Sequence, residues 1–293
     1  MTSLLEGLRV IDLSLGIAGS VTTMLLGDYR AEVIRVEAPA GDTVGPTPGD
    51  IVWNRGKKSV TLDLASAGDL RSLHALVASS DILVETFAPG TAAALGVDFA
   101  SLRPDNPGLI YCSITGYGRH GESSRRPAYD ALVQARSGMQ DEQPGWRDGP
   151  IFLHRPLPSL GAALNASVAV SAALHARQVT GSGQWVETSL MPGALLWMTQ
   201  IWKRAETPTP EIANLWKFKA LGPTPCFEAA HGQWFHPMPG GVPVALAHLG
   251  RDPGETPATG LASGDLTERQ STRPTSPTSR RPSTGRRPSP KRC

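Results

Sequence analysis

The side chains that could do chemistry are few and scattered. Cys112, Cys226 and Cys293 stand far apart and form no metal-binding or redox spacing. His120, His154 and His175 each lack a local partner, and a lone histidine is more often structural than catalytic. Among the carboxylates, Asp130 follows Tyr129 in PAYDALVQ, where it reads as a helix-start acid favoured by the helix dipole. Asp141, Glu142 and Asp148 fall in a stretch that reads as an exposed loop. Ser159 lies near a helix start, where a serine serves as an N-cap or as a small residue. Its hydroxyl is a poor nucleophile without a base. Arg9, Arg35, Arg55, Lys57 and Lys58 could meet a phosphate, or could form an ordinary solvated surface. Gly16-x-x-Gly19 is not a dinucleotide fingerprint, which argues against a nicotinamide dehydrogenase.

The elements that would position these groups are legible from patterning. RVIDL, AEVIRVE, VTLDL, DILVETF and LIYCSIT, within residues 8–14, 31–37, 60–64, 81–87 and 109–115, read as apolar strands. Residues 18–28 and 67–78 read as helices, as does 89–95. From Pro156, the residues Leu157, Leu160, Leu164, Val168, Ala172 and His175 recur at helical spacing, which predicts one long, mostly buried helix stopped by Thr180-Gly181-Ser182-Gly183. Gln184 to Thr188 resumes as an extended segment. Alternation of strand and helix predicts an α/β fold, a doubly wound parallel sheet. Ligands in such sheets bind beyond the carboxyl ends of the strands, so the loops after Ser14, Glu37, Leu64, Phe87 and Thr115 are the expected site.

Composition divides the 293-residue chain. The net charge of +2 hides a slightly acidic body and a basic tail, with nine Lys or Arg against four Asp or Glu after Gly250. Between Arg269 and Lys291 there is no acid, aliphatic or aromatic residue, so the tail has nothing to bury and is expected to be disordered. It reads as a natural disordered segment or an out-of-frame continuation, and the second is favoured. The start shows no signal-peptide pattern, and no apolar run predicts a membrane span. Cysteine usage makes the cytoplasm the expected compartment. Nucleic acid is not the expected partner, and neither is a membrane.

The strings themselves carry more. Leu5 to Asp12 opens the chain, followed by LGDYRAEVIRVE from Leu26 to Glu37, Asn54-Arg55-Gly56-Lys57-Lys58-Ser59, Phe87-Ala88-Pro89-Gly90, Gly116-Tyr117-Gly118 and Tyr129-Asp130. Near residue 172 comes Ala-Ala-Leu-x-Ala-Arg-Gln, and then Thr-Gly-x-Gly-Gln-x-Val. From Leu5 to about Pro237 this order resembles the class III coenzyme A transferases, a superfamily that includes formyl-CoA transferase, carnitine CoA-transferases and α-methylacyl-CoA racemase.

The resemblance implies a Rossmann-like large domain at 1–222, the start of a truncated small domain at 223–250, and the tail at 251–293. It implies transfer of CoA between carboxylic acids, with acyl-CoA and a carboxylic acid as partners and no permanently bound cofactor. A homodimer, or pairing with a catalytic partner subunit, also follows from it.

In such transferases an aspartate attacks the acyl thioester to give a mixed anhydride. CoA thiolate then returns to that anhydride and leaves an aspartyl thioester. Counting back without a gap from Ala172-Ala173-Leu174, that aspartate falls on Ser159, whose hydroxyl cannot replace it. The alternatives are therefore an inactive homologue, a partner subunit, or a CoA-binding module. By resemblance, the CoA contacts fall on Ile17 and Ala18, on Leu62 to Ala65, and on Thr86, Phe87 and Ala88, while Tyr129 and Asp130 lie at the active site. Asp130 is there a carboxylate that could stand in for the missing one, although the helix-start role is favoured. Basic contacts of the family are replaced here by Ala38, Ala65, Ala94 and Pro127. The usual glycine before Ala31 is Arg30, and the usual proline after Gly19 is Ser20. Tyr129 also stands where the racemase branch has its histidine, so racemase activity is not expected.

Overall fold

The structure is a computed structural model that describes residues 4–41, 48–141 and 149–198, together with two short strands at 227–228 and 234–235. The chain divides into two compact units, Met1–Lys217 and Phe218–Cys293. In the second unit, β7 (Phe227–Glu228) pairs antiparallel with β8 (Trp234–Phe235). The proposed tail lies outside the described residues.

The first unit is built on six parallel strands: β1 (Arg9–Leu13), β2 (Glu32–Glu37), β3 (Lys58–Thr61), β4 (Ile82–Glu85), β5 (Ile110–Thr115) and β6 (Trp185–Ser189), in the order β3-β2-β1-β4-β5-β6. The strands are near-continuous apolar runs because helices cover both faces. Residue parity decides which face each side chain joins. Val10, Ile82, Val84, Ile110, Cys112 and Ile114 pack with α1 (Ile17–Asp28) and α7 (Leu157–Thr180). Ile11, Leu13, Leu83 and Tyr111 pack on the other face with α3 (Ala67–Ala78) and α5 (Phe99–Leu102). Four shorter helices complete the described part: α2 (Pro48–Trp53), α4 (Thr91–Ala94), α6 (Asp130–Ser137) and α8 (Leu190–Trp197). The expected strands and helices are present within a few residues of their predicted bounds. β3 is the main shift, starting at Lys58 rather than Val60 because Ile34 and Lys58 open its register with β2.

The long helix α7 corrects one expectation. The stripe read from the sequence is not its buried face: Leu164, Val168, Ala172 and His175 are exposed, and Leu157 and Leu160 are only half-buried. The buried face is made of small residues, Gly161, Ala162, Ala163, Ala166 and Ala173, with Val170. Small side chains let α7 lie close to its neighbours. At the crossing with α8, a Cβ on Gly161 would sit 2.8 and 2.9 Å from the Gly193 carbonyl carbon and Cα. The helix is long and apolar enough to cross a membrane by composition, but it packs against α1, β5 and α8 as a core helix. Its end follows the expected rule, with Gly181 left-handed at φ 72°.

Candidate active site

Successive strands are added outward in one direction from β1 to β3 and in the other from β4 to β6, so the order switches between β1 and β4, and a cleft at such a switch point is where ligands bind to sheets of this kind. Two of the expected contact segments meet there. Thr86 Oγ1 accepts a hydrogen bond from Leu15 N (2.7 Å) and donates one to Leu15 O (2.9 Å), so the loop after β4 is clamped to the loop that opens α1. Phe87 N donates to the Glu85 carboxylate at 2.6 Å, fixing the turn that carries Phe87 and Ala88. Ile17 is half-buried at the first turn of α1, whereas Ala18 is buried beneath it. Leu62 is buried in the core, and Ala65 is exposed in the loop after β3. Ala18 and Leu62 therefore offer a ligand little surface.

The five cations offered as phosphate contacts are all engaged within the fold, which corrects that reading. Arg9 pairs with Glu32 at 2.7 Å, Lys58 also pairs with Glu32, and Arg55 pairs with Asp28. Together Lys58 and Arg9 pull the Glu32 carboxyl down to about 2. Lys57 and Arg35 are buried around Asp12, which is wholly inaccessible. Lys57 Nζ donates to Asp12 Oδ2 (2.9 Å), Ser20 O (3.0 Å) and Asn54 Oδ1 (2.8 Å). Arg35 reaches Ser20 Oγ and Asn54 Oδ1, both at 3.1 Å. Ser14 and Thr23 also donate to the Asp12 carboxylate. Burial holds the Lys57 ammonium below the usual lysine range, although Asp12 opposes the shift. The Asn54-to-Ser59 motif is thus a strut beneath α1. Asp12 inside an apolar strand is the sequence signal for it, since a buried acid needs a partner.

Asp130 and Ser159, separated by 28 residues in the chain, are brought together. Asp130 is the first residue of α6, as expected. Ser159 is not the N-cap of α7: Pro156 holds that position and Ser159 is the third helical residue. Its backbone N donates to Asp130 Oδ1 at 3.0 Å and its Oγ to Asp130 Oδ2 at 2.6 Å. Ser159 is buried, Asp130 half-buried, and the neighbouring Tyr129 mostly exposed. The start of α7 is held further by α8, where Trp197 Nε1 donates to Leu157 O at 2.8 Å.

The other candidates do not join this cluster. His120, His154 and His175 are exposed, and Asp141 is exposed in a turn. Glu142 and Asp148 lie outside the described residues. Cys112 is buried, and burial pushes its thiol up to about 12, so it is inert. Among the described residues no group of His, Cys, Asp or Glu could hold a metal. A cavity of about 230 Å³ on the opposite face of β4 and β5 is lined by Glu85, Phe87, Tyr111 and Ser113. Arg119 closes over the Trp185 ring there, 3.9 Å from its centroid. Burial pushes the Glu85 carboxyl upward, against the Ser113 and Phe87 hydrogen bonds. Phe87 and Ala88, two of the contacts implied by the resemblance, also line this cavity.

The six-stranded parallel sheet with helices on both faces accords with what comparison finds. Residues 5–241 match the model of CoA-transferase family III, and the chain belongs to that family. Over 204 residues it is 39% identical to the succinyl-CoA:mesaconate CoA-transferase of Haloarcula hispanica, covering 64% of this chain and 51% of that one. Over 208 residues it is 36% identical to the succinyl-CoA:glutarate CoA-transferase of Mus musculus, covering 67% and 48%. The chain thus spans about half the length of these curated relatives. Among solved structures, a hypothetical protein from Mycobacterium tuberculosis superposes with a TM-score of 0.72 at 29% identity, covering 86% of this chain and 71% of that one.

Proposed function

We propose that this chain binds acyl-CoA at the carboxyl end of its sheet and takes part in moving CoA between carboxylic acids. The observation that carries the proposal is the convergence at the β1–β4 switch point. The turn bearing Ile17 is tied there, through Thr86, to the turn bearing Phe87 and Ala88. A strand-end cleft of this kind suits an extended ligand lying across several loops. The named relatives supply the first substrates to test, succinyl-CoA as donor and glutarate or mesaconate as acceptor. A homodimer and a cytoplasmic setting are part of the same proposal, as is the division of the chain at 222 and 250.

One observation favours a second reading, in which the chain binds CoA without turnover, alone or as a partner subunit. Ser159 offers a hydroxyl where the resemblance calls for a carboxylate. Titration calorimetry with CoA, run beside mass-spectrometric detection of glutaryl-CoA formed from succinyl-CoA and glutarate, separates the two. Binding with product formation is expected. Binding without product would favour the second reading, and no binding would overturn both.

A further inference from the structure

We propose that Asp130 is the nucleophilic carboxylate of this chain and that Ser159 is its hydrogen-bond donor, an assignment that rests on the acyl-CoA reading above. A carboxylate on residue 159 would project its oxygens about one bond beyond the serine oxygen, and the Asp130 carboxylate stands next to that place, its Oδ2 2.6 Å from Ser159 Oγ. The carboxylate needed for acyl transfer is thus present at the start of α7, but it is delivered by α6. The reverse assignment, serine as nucleophile with Asp130 as base, fails on acidity. A carboxylate is too weak a base to hold the proton of an alcohol.

The covalent steps balance without another reagent. An Asp130 oxygen attacks the thioester carbonyl carbon, the carbon–sulfur bond breaks, and CoA leaves as the thiolate. The thiolate then attacks the Asp130 carbonyl carbon of the mixed anhydride. The first acid leaves as its carboxylate, and Asp130 carries CoA as a thioester. An incoming carboxylate attacks that thioester and releases the thiolate, which takes the new acyl group and restores Asp130. Each attack on the Asp130 carbonyl places negative charge on its remaining oxygen. The Ser159 N–H and O–H, already aimed at the two carboxylate oxygens, are placed to stabilise it. Access is open, because Asp130 is only half-buried and lies beside exposed Tyr129.

The test treats the full chain with succinyl-CoA and then hydroxylamine, followed by peptide mapping. An aspartyl thioester yields a hydroxamate on Asp130 itself, whereas an acylated serine yields only free succinyl hydroxamate. A hydroxamate at Asp130 is expected. Asp130→Asn, which keeps the shape and one acceptor, should abolish it. Ser159→Ala should keep it while slowing its formation by about 100-fold, the cost of one lost oxyanion donor. Labelling at another residue, or no labelling in a protein that still binds CoA by calorimetry, would overturn the assignment and leave the CoA-binding reading standing. Loss of CoA binding in the unmodified chain would instead remove the reading on which the assignment rests.

Discussion

Replacing Lys57 with methionine probes the strut beneath α1. Methionine fills nearly the same volume but supplies no charge and no donor. The change removes three hydrogen bonds, including that to Asp12 at 2.9 Å, and leaves a fully buried carboxylate behind. Breaking one side of a buried ion pair costs about 3–5 kcal/mol. Arg35 remains at 3.9 Å from Asp12, and Ser14 and Thr23 still donate to it, so the lower end of the range applies, about 3 kcal/mol. That is a large share of the roughly 5–15 kcal/mol by which a domain is stable. Asp12→Asn made together with Lys57→Met removes the stranded charge, and the double variant should recover about 1–2 kcal/mol over Lys57→Met alone. Urea denaturation of the two single variants, the double and the parent gives all four corners of the cycle. A loss below about 1 kcal/mol in Lys57→Met would refute the reasoning, as would single-variant losses that simply add.

Three further outcomes follow from geometry. Gly161→Ala should lower the midpoint of thermal unfolding and change Trp197 emission, because α8 must shift away from the new methyl group. Overpacking of this kind costs about 1–3 kcal/mol, partly offset by the better helix propensity of alanine. Arg30→Gly should stabilise the protein by up to about 1 kcal/mol in denaturant titration, since Arg30 holds a left-handed φ of 79° that a side chain disfavours. The Glu32 carboxyl lies below its unfolded value, so its contribution is complete above about pH 4.5 and is lost as pH falls toward 2. Glu32→Gln should therefore flatten the acid limb of a stability-versus-pH curve, and an unchanged limb would show that the Arg9 and Lys58 pairs contribute nothing there.

Much of the fold was legible because strands buried on both faces announce themselves as apolar runs. VIDL, VIRV and ILVE sit where patterning put them, and Gly181 ends α7 as its residue type required. The buried face of α7 misled for a physical reason. Periodicity finds the largest apolar residues, but this helix packs closely and so turns its glycine and alanines inward. The cations misled because charge alone does not reveal a partner: Lys57 and Arg35 look like surface residues until β1 and β2 bring Asp12 beside them. The contact segments Ile17–Ala18 and Thr86–Ala88 were named from resemblance, and only the sheet order explains why they are neighbours. The resemblance put Asp130 and Ser159 each at the active site, but did not say that they touch. Neither residue has an unusual local sequence, and their meeting depends on how α6 and α7 converge.

The inverted packing of α7 separates two properties that usually travel together. Leu164, Val168 and Val179 are 44%, 70% and 78% exposed, so they contribute little to the core. Polar replacements there should leave unfolding curves almost unchanged while altering how molecules stick to one another. Colloidal behaviour and conformational stability can thus be tuned independently along a single helix, the first through its outer leucine and valines and the second through its inner glycine and alanines.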